Sequence, residues 1–222
     1  MYTPAAFAVH DRLAIAQMLR SAGFGHLVTH SSSTTNGPSL EATALPFLID
    51  DDLTVVRAHV ARANDHWRSA DGASALLIVP GNDAYISPNW YPSKAEHHRV
   101  VPTWNYEVVH LHGTVCVHDD DTWKLQLVSD LTDHNESQVE GDDGAAPWRV
   151  TDAPAEFIDR QLRAIVGVEL IVTEIEAKQK LSQNKAEGDR RGAADMLGSS
   201  ARGDNVRIAA AMTSQEPPAN RT

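Results

Sequence analysis

The chain has 222 residues, 42% of them hydrophobic, with a formal net charge of −11 and a single cysteine. That length supports one sizeable core and is short for two, and the lone Cys116 excludes an intrachain disulfide or a multi-cysteine metal site and fits a reducing cytoplasm. The charge opposes direct attachment to DNA, which needs Lys and Arg to neutralise phosphates, and no stretch has membrane-span or leader character, so the expectation is a soluble cytoplasmic protein with no membrane partner.

In chain order, Asp11 is placed to cap a helix running to about Ala22, with Leu13, Ile15, Met18 and Leu19 as its apolar stripe and Gly23 as its stop. Gly25 to His30 reads as a strand and Ser31 to Ser39 as a polar turn. Glu41 to Ile49 and Leu53 to His59 flank three aspartates, Asp50 to Asp52, as an antiparallel hairpin. Ala61 to Ala70 reads as a helix, and Ser74 to Val79 with Asp83 to Ile86 as a second strand pair turning at Pro80-Gly81-Asn82.

Ser87 to Glu107 then concentrates two of the five Trp, two of the four Tyr and three of the eleven Pro. Rings packed that densely beside Asn, Ser, Lys and His suit either a planar, polar-edged ligand or the cap of a core. From Asn105 to Val117 the odd positions Val109, Leu111, Gly113, Val115 and Val117 form one apolar strand face, and Tyr106, His110, His112 and Cys116 occupy the other. His110 and His112 share that face, but two ligands do not make a metal site, and they read as core or interface histidines.

Asp121 to His134 follows as a helix, Glu136 to Gly144 as an acidic loop and Pro154 to about Ala164 as a short helix. Val166 to Ala177 is the last long strand, Lys185 to Leu197 a final helix, and residues 198–222 a loosely ordered extension. Six or more strands with peripheral helices predict a mainly β, antiparallel barrel in one domain, residues 1–197.

Several motifs, in one order, resemble a known family. Met1-Tyr2-x-Pro4-x-x-Phe7, Ala61-Arg62-Ala63-Asn64 with Trp67, Ser87-Pro88-Asn89-Trp90-Tyr91, Val101-Pro102-Thr103-Trp104-Asn105-Tyr106 and Lys180-Leu181-Ser182-Gln183-Asn184 are similar to signatures of the PaiB-type FMN-binding split-barrel proteins, described as negative transcriptional regulators. The resemblance implies a split barrel that dimerises with FMN at the subunit interface. It places His59, Arg62 and Asn64 on the phosphate and ribityl side, where a strand passes into a helix, and Trp104 and Asn105 at the ring edge. Lys180, Gln183 and Asn184 complete the pocket from the C-terminal side or from a partner subunit, and Asn89, Trp90 and Tyr91 form a lid or dimer-side wall. Trp67 reads as a core anchor.

Three positions depart from the family pattern: Ala44 replaces a His, Ala58 a Gly and Asp65 a Pro. The first two keep open a barrel that has lost its cofactor and serves as an interaction module. Besides the regulator with indirect repression, the same barrel could be a flavin reductase or nicotinamide-dependent oxidoreductase, since the flavin carries the chemistry.

Overall fold

The computed structural model describes residues 1–30, 40–139 and 146–214; the polar segment 31–39 and the 140–144 part of the acidic loop lie outside the described residues. In chain order the elements are β1 (Ala8–Val9), α1 (Arg12–Ala22), β2 (Phe24–His30), β3 (Leu40–Ile49), β4 (Val55–Ala61), α2 (His66–Ala70), β5 (Ser74–Ile86), α3 (Ser93–His97), β6 (Thr103–His118), α4 (Asp121–Glu136), α5 (Ala155–Arg163), β7 (Ile165–Lys180), α6 (Glu187–Gly198) and α7 (Gly203–Ser214). The strands hydrogen-bond in the order β1-β7-β4-β3-β2-β5-β6, and β6 also pairs with β7, so the order closes on itself. The pairs β1–β7, β2–β3, β2–β5, β3–β4 and β4–β7 are antiparallel. Among the described residues, no helix is long and apolar enough to cross a membrane.

The predicted hairpin is present, in the register Phe47↔Ala58, Leu48↔Arg57 and Ile49↔Val56. Asp50 shapes its turn: Oδ1 accepts from the Thr54 and Val55 N–H groups at 2.7 and 3.1 Å, and Oδ2 from the Thr54 hydroxyl at 2.7 Å. Leu53 takes a left-handed conformation there, with φ 53°.

The second predicted hairpin is instead one strand, since β5 runs unbroken through Pro80-Gly81-Asn82. Pro80 lies beyond the last β2 pair, His26↔Ile78, so its missing N–H leaves no gap in that ladder. A Cβ on Gly81 would sit 2.8 Å from the Glu107 Cβ, so the glycine marks a close strand approach rather than a turn.

The helix expected over Ala61 to Ala70 shrinks to the five residues of α2. Pairing of β4 with β7 continues to Ala61↔Ile165 and holds that end of the segment extended.

Cα packing divides the chain into two compact units where one domain was expected: Met1–Met18, Pro80–His110 and Glu176–Thr222 in unit 1, and Leu19–Val79 and Leu111–Ile175 in unit 2. The strands β5, β6 and β7, of 13, 16 and 16 residues, are long enough to serve a core in each. The unit 2 core includes Leu27, Leu45, Phe47, Val56, Ala58, Leu77, Leu111, Val115, Val166 and Leu170, all fully or nearly fully buried. The unit 1 core is Ala84, Ile86, Tyr91, Leu181, Ala193, Ala194, Leu197, Ile208, Ala209 and Met212.

The last three of those core residues correct the expectation of a loose extension for residues 203–214; its remainder, residues 215–222, lies outside the described residues. These three lie on α7, whose apolar stripe packs into unit 1.

Candidate functional site

Unit 2 carries His59, Arg62 and Asn64. The alternation of β4 buries Val56, Ala58 and Val60 and sets Arg57 and His59 on the other face. His59 is partly buried, its Nδ1 is sealed from solvent without a hydrogen-bond partner, and burial lowers its pKa, favouring the neutral ring.

Arg62 is committed elsewhere. Its Nε donates to the Arg163 carbonyl at 2.7 Å, Nη1 to Asp119 Oδ2 at 3.0 Å, and Nη2 to Asp119 Oδ1 and to the Ile165 carbonyl, the latter at 3.1 Å. Four of its five N–H donors are therefore spent, two on carbonyls where α5 passes into β7 and two on Asp119 just before α4. The pair is mutual: hydrogen bonds from Arg62 and Lys124 hold the Asp119 carboxyl down to about 2, and Asp119 raises the Arg62 pKa.

Asn64 also faces inward. Its Nδ2 donates to Thr43 Oγ1 at 3.0 Å and its Oδ1 accepts from the His66 N–H at 3.2 Å. His66, which the sequence reading passed over, is the centre of that network. Only 6% exposed, it bonds Thr29 Oγ1 through Nε2 at 2.7 Å and Thr43 Oγ1 through Nδ1 at 2.8 Å, fastening α2 to β2 and β3. Burial lowers its pKa, with a smaller opposing pull from Glu41. No local pattern marks it, since Thr29 and Thr43 lie 37 and 23 residues away in the chain.

Trp67, expected as a core anchor, is half-buried, donates through Nε1 to the Arg62 carbonyl at 3.1 Å and has the Arg68 guanidinium 4.6 Å from its ring centroid. Arg57 and Arg68 are paired with Asp130 and Asp65, at 2.8 and 2.9 Å.

Unit 1 carries the other five predicted residues. At the head of β6 the alternation turns Trp104 out and Asn105 in: the indole is 49% exposed and the amide side chain fully buried. Trp104 meets Tyr85, itself 46% exposed, edge to face with centroids 6.1 Å apart. Asn105 makes one bond at each end of its amide, Nδ2 to Met212 Sδ at 3.3 Å and Oδ1 from Ser182 Oγ at 3.0 Å, and its full burial keeps it from a ring edge at the surface. Gln183 is likewise turned on its own backbone, accepting from the Leu181 N–H at 2.7 Å and donating to the Gln179 carbonyl at 2.6 Å. Asn184 is exposed.

Lys180 donates to Thr103 Oγ1 at 2.6 Å and to the Trp104 carbonyl. Burial first, then Lys178 and Lys185, lower its pKa. Lys178 donates to the Tyr2 carbonyl at 3.1 Å and stands 5.0 Å from the Tyr106 ring centroid, and Lys185 stands 5.5 Å from that of Tyr91. The partners of all three ammonium groups among the described residues are thus neutral.

The lid reading of Asn89-Trp90-Tyr91 changes. Tyr91 is 2% exposed in the unit 1 core, Trp90 packs against that core, and only Asn89 is exposed. Burial raises the Tyr91 phenol pKa, with Ser182 close enough to offset part of the rise. Of the two histidines weighed as metal ligands, His110 places Nδ1 3.9 Å from Glu176 Oε2, a carboxylate that the Met1 ammonium already holds at 2.5 Å.

FMN needs a ring cover, a cation for its phosphate and polar groups not already satisfied. Within unit 1, the outward Trp104 and the lysines around Lys180 fit the first two needs. Asn105 is fully buried, and Arg62 has four of its five N–H groups engaged within unit 2.

Comparison with known proteins agrees with this chemistry. Residues 1–174 match the family model described as "Putative FMN-binding domain". The chain is 32% identical to Protease synthase and sporulation protein PAI 2 of Bacillus subtilis, over 85% of this chain and 85% of that one. Its fold is similar to that of the FAD and heme binding protein from Mycobacterium smegmatis, with a TM-score of 0.55 and 17% identity, covering 78% of this chain and 73% of the other. It is also similar to a conserved hypothetical protein from Mycobacterium tuberculosis, with a TM-score of 0.56 and 12% identity over 84% and 95% of the two chains.

Proposed function

This chain is a split-barrel member of the FMN-binding-domain family, homologous to PaiB, and we propose that it works as a flavin-bound regulator whose effect on transcription does not depend on its own docking to DNA. FMN is its cofactor and, when bound, supplies one- and two-electron redox chemistry. Trp104 covers part of the ring, and Lys178, Lys180 and Lys185 supply the positive charge for the phosphate.

The observation that carries this reading is the lysine group beside an outward indole, in a protein of net charge −11. Carboxylates are plentiful in such a chain, yet these three cations meet hydroxyl, carbonyl and aromatic groups. The same net charge supports an indirect route to transcription, because DNA would be repelled on average. The family resemblance supports a regulatory role, and the Bacillus subtilis relative is named for protease synthase and sporulation. A homodimer with the flavin at its interface is the assembly that the family resemblance supports, and the single reduced cysteine is consistent with the cytoplasm.

The test is the visible spectrum of purified protein, followed by FMN titration of the wild type and Trp104→Ala. Trp104→Ala is expected to fold and to bind FMN at least tenfold more weakly; a fully retained flavin spectrum would refute the assignment. Rapid bleaching of bound flavin by NADPH would move the conclusion to an oxidoreductase. Sequence-specific DNA binding that tightens as salt falls would overturn the indirect route.

A further inference from the structure

We infer that Asn105 is a positioning residue through which helix α7 fixes the places of Trp104 and Lys180, and thereby sets how tightly FMN is held. This rests on FMN meeting Trp104 and Lys180 as proposed above.

The first residues of β6 and the last of β7 are joined side chain by side chain. Lys180 donates to Thr103 Oγ1 and to the Trp104 carbonyl, and Ser182 donates to Asn105 Oδ1 at 3.0 Å. Ser182 is buried and holds a left-handed φ of 63°, a conformation that an L side chain seldom adopts unless its surroundings enforce it. The bond to Asn105 and the Gln183 side chain folded back on Leu181 N–H and Gln179 carbonyl provide that enforcement.

Asn105 is in turn oriented from α7. Its Nδ2 donates to Met212 Sδ at 3.3 Å, and Met212, Ile208 and Ala209 are buried in the same core as Leu181. A thioether is a weak acceptor, so this bond contributes little attraction, but it fixes which end of the amide faces Ser182. Without Asn105, Ser182 Oγ loses its acceptor in a buried position and the left-handed turn relaxes. Lys180, two residues earlier, then loses its place on the Trp104 carbonyl, and the lysine and the indole no longer present one arrangement to a ligand.

Asn105→Leu keeps the volume and removes both bonds, while Met212→Leu keeps the apolar bulk and removes only the sulfur. Two measurements apply to each: FMN affinity by titration, and the pH profile of Lys180 acylation in ligand-free protein, read by mass spectrometry. Lys180 is held below an ordinary lysine by burial and by Lys178 and Lys185, so release should move its profile upward. Asn105→Leu is expected to weaken FMN at least tenfold and to raise the Lys180 midpoint, and Met212→Leu to do both by a smaller, two- to fivefold, amount.

Folded variants with wild-type affinity and an unmoved Lys180 profile would overturn the inference. Should Asn105→Leu fail to fold, Met212→Leu decides it alone. Intact FMN affinity in Trp104→Ala would defeat the flavin assignment instead, and the Lys180 profile would still decide the positioning.

Discussion

Two glycines of α6 should respond to alanine with opposite signs. A Cβ at Gly192 would stand 2.3 Å from the Trp90 carbonyl oxygen and 3.3 Å from Pro92 Cδ. Ordinary C···O approach is about 3.3 Å, so the helix must move back by about 1 Å. It is not free to do so, because the buried Asp189, one turn earlier, accepts from Ser93 N–H at 3.0 Å and Ser93 Oγ at 2.7 Å and ties α6 to the same loop. Overpacking costs about 1–3 kcal/mol, and stretching those charged hydrogen bonds adds roughly 1 kcal/mol. Replacing a mid-helix glycine returns about 1 kcal/mol. The net loss is about 2 kcal/mol, which lowers the melting temperature by about 4–8 °C for a chain of this size. A Cβ at Gly188 meets nothing within 4 Å, so Gly188→Ala should stabilise by up to about 0.5 kcal/mol in this first helical turn. Thermal unfolding of the two variants beside the wild type checks both signs; a Gly192→Ala protein as stable as the wild type would show that α6 does not pack on Trp90 in this way.

Gly113→Ala should be more severe, losing about 3 kcal/mol or more, because its Cβ would lie 2.1 Å from the Ile171 carbonyl oxygen, a strand backbone atom; soluble expression and melting temperature report it. His66 gives a pH dependence. Its folded pKa lies below the unfolded 6.5, so its stabilising effect is complete above pH 6.5 and is lost as pH falls through the folded value. The decline in unfolding free energy from pH 7 to 5 should therefore be shallower in His66→Gln than in the wild type. Asp119 acts lower on the scale: with its carboxyl at about 2 in the fold against 3.8 ordinarily, its contribution is present above pH 3.8 and disappears toward pH 2, and Asp119→Asn should remove that acid limb. Arg62→Lys should lower the melting temperature while FMN affinity holds; lost affinity at unchanged stability would return Arg62 to the phosphate.

Elements with a strong local rule were legible in the sequence. The two-residue period of β6 announced Val109, Leu111 and Val115 as buried, and the aspartates at 50–52 announced the β3–β4 turn. Pro80-Gly81 misled because the same two residues that mark turns also serve where strands come close, and only the neighbouring Glu107 tells the uses apart. Residues 203–214 looked loose because Gly, Ser and Asn surround them, although Ile208, Ala209 and Met212 already stood at helical spacing. At the site, residue type was legible and facing was not. Trp104 and Asn105 are adjacent and therefore point to opposite sides of β6, so only one of them could meet a ligand there. That Asn105 is the inward one follows from Ser182 and Met212, 77 and 107 residues away in the chain, a pairing no local pattern contains.

The cations show the same gap between type and circumstance, and they lead to a further expectation. Arg57, Arg62 and Arg68, clustered in sequence where β4 leads toward α2, are each matched to a carboxylate, Asp130, Asp119 and Asp65. Their charge is spent within unit 2. Lys178, Lys180 and Lys185 instead contact carbonyl, hydroxyl and ring groups, which orient an ammonium without neutralising it. A dianionic phosphate meeting those lysines is bound partly by unscreened attraction, and mobile ions weaken such attraction over roughly 8–10 Å at 0.1–0.15 M salt. Riboflavin has the same ring and no phosphate. FMN affinity should therefore fall several-fold between 50 and 500 mM salt, on the order expected for the half-buried Lys180 and Lys185, riboflavin affinity should stay nearly level, and Lys185→Gln should flatten the FMN response. Equal salt dependence for the two flavins would mean that the lysines do not face the phosphate, and the indole at Trp104 would then have to be holding the ring without them.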